Sequence, residues 1–209
     1  MPLFYQQNIN EHTRLGVWKI EEEESFFLQR VAPKRDITHP AKRLQHLAGR
    51  YLLPYLFPGF PHEEIEIADT RKPFLRNEQY HFSISHCGTY AAAIASSRQR
   101  VGVDIELITP RVDRIKHKFL HPEELAFVNS QPASSSIGLL TLLWSAKEAM
   151  FKWWSLGDVD FSDMLRLEPF VLADEGMIDA SFVKAGRKIP VQLSYIMYPH
   201  MSLCWMVSG

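Results

Sequence analysis

Apolar residues along the chain recur with two different periods, one typical of helices and one typical of strands. In residues 37–53 they recur every three or four positions, as an amphipathic helix requires, and Pro54 is predicted to end that helix. Residues 139–154 form the longest helical stretch, and His121-Pro122 followed by two glutamates predicts the start of another helix.

The strands show a different pattern, in which apolar and polar residues alternate. Residues 81–85 alternate, residues 86–89 read as a turn, and residues 90–96 are small and apolar, so the three together predict a β-hairpin. Residues 101–107 predict a further strand that has its valines, Ile105 and Leu107 on one face and Asp104 and Glu106 on the other. Further strands are predicted within residues 13–31 and at 65–67, 170–172, 190–197 and 203–207. The fold class is therefore α+β.

Length and composition restrict the classes of protein. The chain has 209 residues, 46% of them hydrophobic, enough for one large domain or two small ones that share a core. Its 23 basic and 24 acidic residues nearly cancel, so we expect no nucleic-acid partner. The chain shows neither an apolar run of roughly 18 residues nor a secretion signal, which predicts a cytoplasmic protein without a membrane partner. Cys87 and Cys204 indicate neither a disulfide framework nor a structural zinc site.

Asp104 and Glu106 are the first candidates for chemistry. Two residues apart on a strand, their carboxylates leave the same face about 6 to 7 Å apart. One interpretation is the wet side of an edge strand, because such pairs are common. The other is a site for a hard cation, since Mg²⁺ prefers carboxylates together with phosphate oxygens and water.

A second candidate pair lies on the longest predicted helix. Glu148 and Lys152 are four residues apart and therefore face the same way. They are either a surface ion pair worth a few tenths of a kcal/mol, or a metal ligand and base beside a lysine that neutralises a phosphate. Ser85 and His86 begin a tight turn whose donors suit phosphate oxygens. His117 and His121 have the spacing of helical metal ligands, but no third ligand is apparent.

Four segments in order along the chain resemble the 4′-phosphopantetheinyl transferase superfamily. They are RKP at residues 71–73, FSISHCGTY at 82–90, GVDIE at 102–106 and WSAKEAMFK at 144–152. The length resembles the surfactin-synthetase-activating type. The resemblance implies two similar α/β halves packed as a pseudodimer within a monomer. Residues 1–100 would form a coenzyme A-binding half, and residues 101–209 a magnesium-binding and catalytic half.

The resemblance also implies an activity. Members of the family transfer 4′-phosphopantetheine from coenzyme A to a serine of an apo acyl or peptidyl carrier protein, with Mg²⁺, and release 3′,5′-ADP. Asp104, Glu106 and Glu148 fall on the magnesium ligands. Glu148 is also the position of the base toward the serine, and Lys152 the position that assists the departing phosphate and contacts the coenzyme.

Further positions fall on coenzyme contacts of the family. They are Lys72, Ser85, His86 and Arg43, with Arg50 matching less closely. The usual glycine before Lys-Pro is Arg71 here, which adds a phosphate contact or only alters the turn.

Other interpretations stay open at this point. The three carboxylates also suit another magnesium-dependent phosphotransferase or phosphohydrolase, which would hydrolyse phosphate esters without a carrier protein. A non-catalytic coenzyme-binding protein is a further alternative, but the complete set of carboxylates with Lys152 argues against it. The basic segment RVDRIKHK at residues 111–118 is either a docking edge for an acidic carrier protein or a solvated helix face.

Overall fold

The computed structural model describes residues 2–33, 36–70 and 72–208, which form two antiparallel sheets and a short two-stranded pair. The first sheet has the order β1-β2-β6-β5 and the second the order β7-β11-β10-β9-β8. The strands are β1 (Leu3–Asn10), β2 (Thr13–Lys19), β3 (Glu66–Ile67), β4 (Pro73–Phe74), β5 (His81–Cys87), β6 (Tyr90–Ser96), β7 (Val101–Leu107), β8 (Leu165–Leu167), β9 (Glu175–Lys184), β10 (Arg187–Tyr198) and β11 (Met201–Val207).

The helices are α1 (Glu24–Leu28), α2 (Pro40–Leu56), α3 (Arg111–Ile115), α4 (Pro122–Ser130) and α5 (Ser136–Trp154). Short 3₁₀ helices lie at His62–Glu64, Lys116–Lys118 and Ala133–Ser135. The mixed α and β class predicted from the sequence is confirmed, as are the hairpin of β5 and β6 and the strand β7. No helix in the described part of the chain is long and apolar enough to cross a membrane.

Apolar faces pack the elements into layers. Leu15 of β2, Ile94 of β6, Val103 of β7 and Leu203 of β11 belong to one cluster that lies between the two sheets. The opposite face of the first sheet packs on α2, and the opposite face of the second packs on α5. The division into similar halves at residues 1–100 and 101–209 stays a prediction, because shared layers do not by themselves establish a repeat.

Helix α5 lies directly against β7. A Cβ atom added to Gly102 would stand 2.0 Å from the carbonyl oxygen of Ala149, so only glycine permits this approach. Ser155, with φ of 72°, ends the helix in the left-handed conformation. Because side chains alternate along a strand, Asp104 leaves β7 on the same face as Gly102 and points toward the helix.

Several boundaries differ from the sequence-based prediction: α2 begins at Pro40 rather than at residue 37, and β10 and β11 begin at Arg187 and Met201 rather than at residues 190 and 203. Helix α2 continues through Pro54 to Leu56, which is 1% exposed and anchors the last turn in the core. The backbone N–H of Phe57 donates to the carbonyl of Leu53 at 2.9 Å and completes the helix end, so the missing proline N–H falls where the helix is already closing. Helix α5 begins at Ser136, before the predicted start at residue 139.

The predicted strand at residues 170–172 is wrong. Val171 is 89% exposed, while the ring of Phe170 packs beside those of Phe127 and Tyr195. The segment is an irregular connection held by these two aromatic contacts, and the pairing occurs on either side of it, in β8 and β9. Strands β1, β4, β8 and β9 were not predicted. Polar residues at 6–8 interrupt the apolar pattern of β1, β4 and β8 are two and three residues long, and the alternation of Ile178, Ala180 and Phe182 in β9 was missed.

Candidate active site

Ser85, Asp104 and Lys152 meet at the junction of β5, β7 and α5. The carboxyl Oδ1 of Asp104 accepts hydrogen bonds from Ser85 Oγ at 2.7 Å and from Lys152 Nζ at 2.6 Å. Lys152 Nζ also donates to Ser85 Oγ at 2.9 Å. Asp104 is only 2% exposed, so the interpretation of the Asp104 face as the wet side of an edge strand is wrong. Lys152 forms its ion pair with Asp104 across the site, and the alternative of a surface pair with Glu148 fails as well.

The second carboxyl oxygen of Asp104 differs from the first in its hydrogen bonding. Its Oδ2 is buried and has no hydrogen-bond partner within the described residues. A buried carboxylate oxygen without a partner is unfavourable, and such atoms commonly mark the place of a ligand, an ion or a water. The arrangement therefore leaves one acceptor ready for an added cation or donor.

Glu106 and Glu148 lie in the electrostatic surroundings of Asp104. Burial, followed by the Asp104 charge, raises the pKa of Glu106 from 4.5 to about 7, against the opposing effects of the Trp144 hydrogen bond and Lys152. Burial and the Asp104 charge likewise raise the pKa of Glu148 to about 7, again opposed by Lys152. A cation between these acids would favour their charged forms.

The chemistry of their ligand atoms decides whether these acids suit a metal ion. Within the described residues, no three His, Cys, Asp or Glu side chains form a ready metal cage. Mg²⁺ does not require one, because it commonly binds one or two carboxylates together with phosphate oxygens and waters. The three acids offer oxygen ligands, and Asp104 Oδ2 has no hydrogen-bond partner in the described part of the chain. Asp104, Glu106 and Glu148 thus suit Mg²⁺ in the company of a phosphate ligand.

The side chain of Lys72 reaches the site at the end of α5. Its Nζ donates to the carbonyl of Lys152 and to Ser155 Oγ at the end of α5. Burial, together with the nearby charge of Arg100, lowers the pKa of Lys72 to about 8. Lys72, Lys152 and Ser155 line a cavity of about 230 Å³, so the structure brings two of the predicted coenzyme contacts to one cavity.

His86 lines a neighbouring cavity. This exposed side chain at the end of β5 borders a space of about 420 Å³ together with Glu106, Arg111 and Trp144. Ser85, predicted as a phosphate contact, directs its hydroxyl to Asp104 in this structure.

The predicted arginine contacts lie on α2. The guanidinium of Arg43 pairs with Glu24 of α1 at 2.7 Å, and Arg50 is 6% exposed. None of the contacts seen for Arg43 reaches Asp104 or Lys152 within the described residues. Arg71 lies outside the described residues.

A buried ion pair beside the site was not predicted from the sequence. Lys147, which is fully buried, donates to Glu124 Oε2 at 2.6 Å and to the carbonyls of Phe119 and Phe161. Glu124 in turn accepts from the backbone N–H groups of His121 and Leu167. The signal was present, because Lys147 occupies the apolar stripe of α5 between Leu143 and Met150. His121 serves as the N-cap of α4, where its side chain accepts from the backbone N–H of Glu123.

The fold and the site define a two-sheet α and β protein with a buried cluster of carboxylates and lysines at the junction of its sheets. Residues 100–194 match the family model described as the 4′-phosphopantetheinyl transferase superfamily. The enterobactin synthase component D of Escherichia coli (strain K12) is 35% identical over 114 residues, 53% of this chain and 54% of that protein.

Two further relatives are similar to the chain. The enterobactin synthase component D of Salmonella austin is 31% identical over 151 residues, 68% of this chain and 57% of that protein. The 4′-phosphopantetheinyl transferase gsp of Aneurinibacillus migulanus is 32% identical over 108 residues, 51% of this chain and 44% of that protein. The matches therefore span about half the length of these relatives. The chain belongs to the 4′-phosphopantetheinyl transferase superfamily.

Proposed function

We propose that the protein transfers 4′-phosphopantetheine from coenzyme A to a serine of an apo acyl or peptidyl carrier protein. The observation that carries the proposal is the meeting of Asp104, Ser85 and Lys152 from three separate elements, with one Asp104 oxygen that has no partner among the residues described. Glu106 and Glu148 stand beside it with pKa values near 7. Relatives whose names include the transferase activity, or the synthesis of enterobactin, support the same assignment.

Asp104, Glu106 and Glu148 would hold Mg²⁺ in this function. When bound, the ion supplies positive charge to the diphosphate of the coenzyme. The chain's own contribution is the placing of carboxylate oxygens on β7 and α5, with Gly102 allowing the helix to approach the strand.

Lys152 and Glu148 act on the reacting groups. The serine oxygen forms a bond to the phosphorus that carries the pantetheine arm, and the bond from that phosphorus to the bridging oxygen breaks. Lys152 places an ammonium group where the departing 3′,5′-ADP gains negative charge. Glu148, with its pKa raised to about 7, accepts the serine proton directly or through a water.

Four further residues are proposed as contacts of the coenzyme. Lys72, Ser85 and His86 would bind the phosphates, and Arg43 would contact the coenzyme from α2 after release from Glu24. We further propose that the two sheets with their helices are the similar halves of a pseudodimer, and that the protein acts as a monomer in the cytoplasm.

The carrier protein would dock beside α3. Arg111 and Arg114 are exposed, and Arg111 lines the cavity that also contains Glu106. Lys116 is paired with Asp113 at 2.8 Å, so the two arginines carry most of the free charge of this edge. An acidic partner would be attracted to this surface.

A mass measurement tests the function. The protein is incubated with coenzyme A, Mg²⁺ and a panel of apo carrier proteins, and each carrier is weighed by mass spectrometry. We expect a gain of one phosphopantetheine unit, and no gain with Glu148→Gln, which keeps the shape of the side chain. Hydrolysis of phosphate esters with every carrier unmodified would instead support a phosphohydrolase and contradict the proposal.

A further inference from the structure

The two sheets of the protein meet along two edge strands. Strand β5 lies at the end of the first sheet and strand β7 at the end of the second, and the two strands run side by side. In the described part of the chain, no ladder of backbone hydrogen bonds joins them. Side chains therefore supply hydrogen bonds at this junction, since buried backbone N–H groups require acceptors.

Two serines of β5 form these bonds. Ser83 and Ser85 are two residues apart on the strand, so their side chains leave it on the same face. The hydroxyl of Ser83 accepts a hydrogen bond from the backbone N–H of Val103 at 3.1 Å, and Ser85 Oγ donates to Asp104 Oδ1 at 2.7 Å. Ser83 and Val103 are both buried, so the bond between them lies in the interior of the protein.

The two bonds hold Asp104 at both of its ends. Ser85 and Lys152 fix the carboxyl Oδ1, whereas Ser83 fixes the backbone one residue before Asp104. If the backbone of β7 shifted at this point, the carboxylate would move with it, and Oδ2 would point in a different direction. Ser85 cannot prevent that movement alone, because it contacts only the end of a side chain that can rotate.

We infer that Ser83 is a positioning residue for Asp104. Its hydroxyl acts on the carboxylate through the backbone of Val103. Hydrogen bonds that orient a metal ligand in this indirect way commonly change metal affinity by about 10- to 100-fold. The effect on Mg²⁺ rests on the proposed function, whereas the placing of Asp104 does not.

Three variants of the full chain test the inference. Ser83→Ala removes the acceptor, and Ser83→Thr keeps the hydroxyl, with room for its methyl group in the cavity of about 230 Å³ that Ser83 lines. Ser96→Ala is the matched control, because Ser96 is also a buried serine of the first sheet whose hydroxyl accepts a backbone N–H, that of Gln99 at 3.1 Å. Its hydroxyl bonds Thr13 of β2 rather than a residue of β7.

Mg²⁺ affinity is measured by calorimetric titration with coenzyme A present and no carrier protein, and stability by urea unfolding. We expect both alanine variants to lower the urea midpoint, because each leaves a backbone N–H without its acceptor. Only Ser83→Ala should weaken Mg²⁺ binding, by about tenfold, and Ser83→Thr should stay within about twofold of the wild type. If Ser83→Ala does not fold, Ser83→Cys replaces it, since a thiol is a weaker acceptor of similar size, and a smaller loss of Mg²⁺ affinity is expected.

Two results of the titration would overturn the inference. One is an Mg²⁺ affinity that Ser83→Ala, or Ser83→Cys in its place, leaves unchanged. The other is an equal loss of Mg²⁺ affinity in the Ser83 variant and in Ser96→Ala, which would reduce Ser83 to a general role in stability.

Crystal structures of the same variants separate this inference from the proposed function. If the wild type binds no Mg²⁺ or modifies no carrier protein, the proposed function fails, and the position of Asp104 still decides the inference. We expect the distance from Ser85 Oγ to Asp104 Oδ1 to exceed hydrogen-bonding range in Ser83→Ala and to stay near 2.7 Å in Ser96→Ala. An Asp104 side chain that is unmoved in Ser83→Ala would overturn the inference.

Discussion

At the scale of single residues, the site is defined by an imbalance within one carboxyl group. Asp104 Oδ1 has two donors and Oδ2 has none among the described residues. Burial, and after it the charge of Asp104, raises the pKa values of Glu106 and Glu148 to about 7. Folding therefore disfavours the ionised forms of Glu106 and Glu148, at a cost in stability above their raised pKa values.

The raised pKa of Glu148 predicts how the stability of the protein changes with pH. Its pKa rises from 4.5 to about 7 on folding, so the native state binds the proton more tightly. Its contribution to stability is therefore fully present below pH 4.5 and is lost as the pH rises through 7. We expect Glu148→Gln to raise the melting temperature at pH 8 by about 3 °C and to change it little at pH 4.

Calorimetry without and with Mg²⁺ and coenzyme A checks this expectation. The two ligands together should raise the melting temperature of the wild type at pH 8 more than that of Glu148→Gln, because the ion favours ionised acids. If Glu148→Gln melts at a lower temperature than the wild type at pH 8 without ligands, the ionised Glu148 carboxylate does not destabilise the fold.

At the scale of elements, the contact of α5 with β7 brings Glu148 and Lys152 to Asp104. Gly102 fixes the spacing, since an added Cβ would lie 2.0 Å from the Ala149 carbonyl and 3.0 Å from the Trp153 nitrogen. Backbone atoms cannot rotate away as a flexible side chain does. The whole helix would have to move.

We therefore expect Gly102→Ala to destabilise the fold by about 2–3 kcal/mol and to reduce transfer to a carrier even where the protein is folded. Gly59→Ala is the matched control, because nothing lies within 4 Å of its Cβ position, and it should change stability by less than about 0.5 kcal/mol. Urea unfolding and transfer rates are measured on both. Equal behaviour of the two variants would show that the helix does not depend on this approach.

The Lys147 and Glu124 pair connects α5 with α4 and with β8. Replacing one partner leaves a buried charge, so Lys147→Met should destabilise the fold by about 3–5 kcal/mol. Glu124→Gln in the same chain should recover part of that loss, since it removes the unpaired charge. Lys116→Met, which breaks the exposed pair with Asp113, should cost less than about 1 kcal/mol. Urea unfolding that gives similar losses for Lys147→Met and Lys116→Met would exclude this role.

The elements also show what local pattern predicts and what it does not. The alternation that places Asp104 and Glu106 on one face of β7 is a local property, and the structure contains it. The hydrogen bonds of Ser85 to Asp104 and of Lys147 to Glu124 join residues that are distant in sequence. No local pattern of apolar and polar residues can therefore predict them. Strand β9 was missed although Ile178, Ala180 and Phe182 alternate with Asp179 and Ser181, so a local signal for this strand was present.

At the scale of the whole molecule, charge is distributed unevenly although it nearly cancels overall. The formal net charge is −1, yet Arg111 and Arg114 are exposed on α3 beside the cavity that contains Glu106. Both lie on the second-sheet side of the junction where the proposed transfer takes place. A partner that delivers a serine to this junction would therefore meet positive charge first.

The exposed arginines should act on the rate of association more than on the chemistry. We expect Arg111→Glu with Arg114→Glu to raise the Michaelis constant for an acidic carrier about tenfold and to weaken its dependence on salt, because the steering charge is lost. Coenzyme affinity should stay unchanged. Arg98→Glu with Arg187→Glu alters the net charge equally at exposed positions away from α3 and serves as the control. If both double variants lose affinity for the carrier alike, net charge rather than the α3 edge governs docking. If Arg111→Glu with Arg114→Glu leaves the Michaelis constant for the carrier unchanged, the docking surface lies elsewhere.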